Sequence, residues 1–120
     1  MATYAKTILS GSTNGRAVLV NTTASNTCIV HTGSTNTSVQ HEVWLYAQNT
    51  SATDRKLTIE FGGVTDPNDL IEQTITAEGG LLLVIPGLIL SGNSTTAPRI
   101  TAFANTANVV TLVGFVNTIS

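Results

Sequence analysis

Nucleophilic catalysis needs a serine or cysteine beside a positioned base, and the only imidazoles in this 120-residue chain are His31 and His41. Each falls at the end of an expected strand, where a partly exposed or hydrogen-bonded ring is the ordinary role. Gly11-Ser12-Thr13-Asn14-Gly15 matches a nucleophile elbow only in its flanking glycines, because its serine stands second rather than third. Cys28, the single cysteine, lies between Thr27 and Ile29-Val30 with no cation nearby to hold a thiolate, so it reads as a small buried hydrophobe. Cys28, His31, His41 and Glu42 lack the paired short spacings of a structural zinc site. Asp66, Asn68 and Asp69 surround Pro67 without EF-hand spacing and read as a solvated turn. No catalytic, cofactor-binding or metal-ligating residue is assigned, and the chain is expected not to be an enzyme.

The composition points elsewhere. Charged residues make up 10% of the chain, against about 25% in an average soluble domain, and the formal net charge is -2. Five basic residues in no continuous run disfavour direct nucleic-acid binding. So little charge gives weak repulsion between copies, which suits a protein that works in an assembly. The start, Met1-Ala2-Thr3-Tyr4-Ala5-Lys6, lacks the pattern of a signal peptide, and one cysteine cannot form an internal disulfide. The apolar run Leu81 to Leu90 is broken by Pro86-Gly87 and is shorter than the about 20 residues a membrane helix needs, so no membrane partner is expected.

The elements that must carry these residues are strands. Helical periodicity is absent, and short β-branched runs recur between Gly, Asn, Ser and Asp clusters. Strands are expected near 4–9, 16–21, 27–32, 42–48, 55–61, 70–76, 80–85, 87–91, 99–104 and 108–118. The whole of 1–120 is expected to form one all-β domain, a compact antiparallel β-sandwich or jelly-roll-like barrel of about 8–10 short strands. In 55–61, Leu57, Ile59 and Phe61 are expected inside while Thr58 and Glu60 face solvent. In 43–47 both alternating sets are apolar, with Val43, Leu45 and Ala47 opposite Trp44 and Tyr46, so cover on both sides is expected. Asn14-Gly15 suits a tight hairpin turn, and Gly62-Gly63 a bulge or corner. Trp44 and Tyr46 are read as a core or interface pair, with a sugar-binding platform as the alternative.

Between residues 41 and 117 the chain resembles small tailed-phage virion proteins of the head-decoration, or capsid cement, type. The matching pieces are Glu42-Val43-Trp44-Leu45-Tyr46-Ala47, Leu57-Thr58-Ile59-Glu60-Phe61-Gly62-Gly63, Leu82-Leu83-Val84-Ile85-Pro86-Gly87-Leu88, Ile100-Thr101-Ala102-Phe103-Ala104 and the stretch Asn108 to Asn117. The resemblance implies a non-enzymatic protein, made in the host cytoplasm, that joins the outer surface of an assembled capsid in many symmetric copies. Its implied partners are the major capsid protein and copies of itself, a homotrimer being favoured and a dimer the alternative. The competing function is a phage tail or fibre module that recognises host glycans. Tyr4, Ile8, Leu9, Trp44 and Tyr46 are the candidate capsid or subunit interface. Residues 1–15 read in two ways, as an arm that adds a strand to a capsid edge or as the first strand of the domain's own sheet.

Overall fold

The computed structural model describes residues 2–120 and is built from strands alone. In chain order these are β1 (Tyr4–Ile8), β2 (Val18–Val20), β3 (Cys28–Thr32), β4 (Gln40–Asn49), β5 (Arg55–Phe61), β6 (Leu70–Ile75), β7 (Leu82–Ser91), β8 (Arg99–Ala104) and β9 (Val110–Ile119). They form two antiparallel sheets packed as a β-sandwich. One is five-stranded, in the order β1-β9-β4-β7 with β2 beside β9; the other is four-stranded, in the order β3-β8-β5-β6. Alternation sets the inner faces: Val43, Leu45 and Ala47 of β4 and Leu112 and Val116 of β9 meet Leu57 and Ile59 of β5 and Ile100 and Ala102 of β8.

The apolar run at 82–91 forms one strand, not the two expected on either side of Pro86-Gly87. β7 lies at a sheet edge and pairs only with β4, so the missing N–H of Pro86 can face outward without breaking a ladder bond. Gly87, at φ +83°, is the extra residue of a bulge between the pairs Val43–Leu88 and Trp44–Pro86. A side chain there would also strike the Trp44 ring, at 2.9 Å from an added Cβ.

β1 and β2 both pair with β9 and lie in series along it, so the segment between them is an excursion rather than a hairpin. Asn14 and Gly15 do form a tight turn with positive φ, closed by Arg16 N–H donating to the Thr13 carbonyl at 3.0 Å, but it does not join paired strands. The excursion crosses to the four-stranded sheet, where Gly11 N–H donates to the Val30 carbonyl (3.0 Å) and Thr32 N–H to Ser10 Oγ (2.7 Å). It thereby covers the edge of β3. Of the two readings for residues 1–15, residues 4–8 take the second, as a strand of the domain's own sheet.

The expected faces of β5 need a correction. Leu57 and Ile59 are inside, but Thr58 and Glu60 are buried as well, and Phe61 is only half-buried. Glu60 accepts hydrogen bonds from Ser25 Oγ, from Asn26 N–H at 2.9 Å and from Thr101 Oγ1 at 2.8 Å. A carboxylate that ties down a neighbouring loop reads in sequence like a solvent-facing one, because alternation reports a face and not what lies over it. Burial pushes the Glu60 carboxyl up, but the hydrogen bonds from Ser25, Asn26 and Thr101 outweigh it and hold it below the usual range.

Candidate functional site

Direct opposition in an antiparallel pair places two side chains on the same face, and this rule assembles the candidate interface. Ile8 opposes Phe115, which opposes Trp44, which opposes Pro86. Tyr4 opposes Ile119, and Tyr46 lies between Val113 and Leu83. All of these are on the outer face of the five-stranded sheet, turned away from the core. Tyr4, Ile8, Trp44 and Tyr46, from two strands distant in sequence, are thus brought to one surface. Leu9 is not: it is 1% exposed and belongs to the core, because the chain leaves β9 at this point and turns inward. Tyr4 is 71% exposed and Ile8 50%, and Leu83 and Ile89 of β7 extend the same surface.

Trp44 and Tyr46 are half-buried, although cover on both sides was expected of their strand. The second sheet covers only the Val43, Leu45 and Ala47 side. The Trp44 ring lies nearly parallel to Phe115, 6.1 Å between centroids, and Lys6 Nζ sits 4.8 Å from the Phe115 centroid. Trp44 Nε1 donates to Glu42 Oε1 at 2.8 Å, and Asn117 Nδ2 donates to the same oxygen at 2.9 Å. These two bonds hold the Glu42 carboxyl below the usual range. The arrangement is an aromatic row whose indole N–H is already paired. The contribution of Phe115, Lys6, Glu42 and Asn117 escaped the sequence reading. Period-2 spacing places Glu42 beside Trp44, but the register of β4 on β9, which brings Asn117 and Phe115, comes only with the fold.

The residues with acid-base or metal-binding chemistry are placed elsewhere. His31 and His41 meet, Nε2 to Nδ1, at 2.8 Å, and His31 is buried. Cys28 directs its thiol to the Leu19 carbonyl at 3.5 Å, and burial pushes that thiol up. Glu42 faces away from both imidazoles, on the aromatic surface. Among the described residues no three His, Cys, Asp or Glu groups gather as a metal site would require. Asp69 accepts from Thr65 N–H at 3.0 Å and closes its own loop.

A surface cavity of about 570 Å³ opens between the 11–17 excursion, β2 and the start of β3 and is lined by Arg16, Asn21 and Cys28 among others. It does not reach either histidine or the aromatic row. Comparison with protein-family models, curated proteins and solved structures finds no match.

Proposed function

We propose that the chain is a non-enzymatic structural protein of a tailed-phage virion, which decorates the outside of the assembled capsid and stabilises it by bridging capsomers. The observation that carries this reading is the outer face of the five-stranded sheet, where Tyr4, Ile8, Trp44, Tyr46, Phe115 and Leu83 lie side by side with no element of the described residues over them. Rigid aromatic anchors beside aliphatic side chains are the usual centre of a protein interface. Covering one large apolar side chain contributes about 1.5–3 kcal/mol, and an array of symmetric copies adds that gain at every site.

Glycan recognition is the weaker reading. A sugar-binding Trp offers an open indole face and can add its N–H as a donor, whereas the Trp44 N–H is held by Glu42 and the Gly87 backbone lies close to its ring. The major capsid protein is the proposed main partner. A homotrimer, or alternatively a dimer, would place further copies along the open β1 and β7 edges.

Gold-labelled antibody against the protein, applied to purified particles and viewed by electron microscopy, tests the assignment. Label spread over the head surface is expected. Label confined to the tail, or absent from intact particles, overturns it.

A further inference from the structure

The His31–His41 contact does more than fill space, because its proton positions are fixed from one end. Ser10 N–H donates to His31 Nδ1 at 3.0 Å, so that nitrogen must be bare and the His31 proton must sit on Nε2. His31 Nε2–H then donates to His41 Nδ1, 2.8 Å away, which leaves the His41 proton on its own Nε2. The chain Ser10 to His31 to His41 runs from the excursion through β3 of one sheet to β4 of the other.

This chain has no arrangement that accepts a further proton. Protonated His31 would present Nδ1–H to Ser10 N–H, two donors facing each other. If His41 were protonated, its Nδ1–H could be accepted only by a bare His31 Nε2. The His31 proton would then move to Nδ1, and the same clash with Ser10 would result. Protonation of His31 therefore breaks one of the bonds that hold the excursion, and protonation of His41 breaks either that bond or the His31–His41 contact.

We infer that the His31–His41 pair is an acid-released latch, which holds residues 10–17 over the β3 edge while both rings are neutral and frees them when His31 gains a proton. The inference is independent of what the aromatic surface binds. Release would uncover the β3 edge, where Gly11 and Ser10 now occupy the backbone groups of Val30 and Thr32.

No other charge offsets the effect. His31 opposes Ile100 on β8, and His41 opposes Leu90 on β7 and Thr118 on β9, none of them titratable. The nearest charged groups on the surrounding elements are engaged elsewhere or make no bond to either ring. Glu42 is held by Trp44 and Asn117, Arg99 donates to Asn26 Oδ1, and Arg16 has no bond to the rings. The one ion pair among the described residues, Lys56 with Glu72, joins β5 to β6 on the far side of the four-stranded sheet. Burial, and secondarily the charge of His41, lowers His31 from 6.5 to about 4, and burial lowers His41 as well. A lowered imidazole resists protonation in the folded state while the opened segment accepts it. The latch is therefore complete above 6.5 and weakens as pH falls towards about 4.

Two measurements on the full chain test this. Amide hydrogen exchange, corrected for its intrinsic pH dependence, should show protection at Ser10, Gly11 and Thr32 falling about tenfold per pH unit between 6.5 and 4, the slope of one linked proton. Amides of the β4–β9 ladder should hold their protection over that range. Flat protection at the three amides, or an equal fall in the β4–β9 ladder, overturns the latch. His31→Asn should abolish the slope, and a slope that survives the substitution counts against it. Should that variant fail to fold, ring nitrogen shifts of the unaltered protein at neutral pH decide. Both rings should carry the proton on Nε2, and a proton on His31 Nδ1 refutes the mechanism.

Discussion

The two sheets treat their outer faces in opposite ways. On the four-stranded sheet the outward residues of the central strands include the polar Thr58, Glu60 and Thr101, all three buried, beside the half-buried Phe103. Ser25 and Asn26, from the 21–27 loop, bond to Glu60 there, and Arg99 Nη2 donates to Asn26 Oδ1. On the five-stranded sheet the outward residues include Trp44, Tyr46, Val113 and Phe115, and these are only half-buried. Glu60 has a roof from its own chain, and among the described residues the aromatic face has none. Self-contained folding would favour the reverse, since water solvates polar side chains without help and covering apolar ones is the main favourable term in folding. The difference locates the surface on which an outside partner gains most.

Gly114→Ala should have the largest effect, because it removes the frame on which the aromatic row is built. Gly114 faces inward opposite Leu45, and a Cβ added to it would lie 1.9 Å from the Trp44 carbonyl oxygen, a backbone atom with no freedom to yield. β4 and β9 would have to separate. A loss above about 4 kcal/mol is expected, seen as failure to show a cooperative thermal transition. A variant that melts like the parent would mean that β4 and β9 do not approach as described.

Glu60→Ala tests the roof over the other face. It would leave Ser25, Asn26 N–H and Thr101 without their acceptor in a buried site, at a cost of about 2–4 kcal/mol in denaturant melts at neutral pH. The folded carboxyl lies below the unfolded value near 4.5, so its contribution is present above that pH and is lost as pH falls through the folded value. The gap between parent and variant should therefore narrow at pH 3. Phe61→Ala, which loses a half-buried ring, should cost no more than Glu60→Ala. A near-neutral Glu60→Ala would show that the 21–27 loop stands free of the sheet.

Strand positions were legible from sequence because alternation and turn residues are local signals. Nine of the expected segments match strands, and the tenth merged with its neighbour because an edge position lets Pro86 stay in register. Tyr4, Ile8, Trp44 and Tyr46 were recognisable as apolar residues at alternating positions. That they share one surface depends on β9, which lies between their strands and is remote from both in sequence. Leu9 was misplaced because a strand continued by one residue looks the same as a strand that ends and turns inward. The two histidines, ten positions apart, were not read as a hydrogen-bonded pair, because a contact across two sheets leaves no spacing signal. Glu60 failed for a similar reason, since its partners Ser25 and Asn26 lie more than thirty residues away.

The smallest effect on folding should accompany the most informative effect on docking. Tyr4 and Ile8 project from an edge strand whose five residues are all exposed, so Tyr4→Ser and Ile8→Ser should each shift stability by no more than about 0.5 kcal/mol. Leu9→Ser, one position further on, should cost about 3 kcal/mol or more, because it places a hydroxyl in the core. On a face roofed from outside, Tyr4 and Ile8 lie at the rim and Trp44 at the centre, so truncations at the rim should weaken binding to capsid shells less than truncation at Trp44. Roughly three- to tenfold is expected for the Tyr4→Ser, Ile8→Ser double variant and tenfold or more for Trp44→Ala, measured by co-sedimentation with shells. Equal binding by parent, rim variant and Trp44→Ala, all still folded, would mean that the aromatic face is not the docking surface.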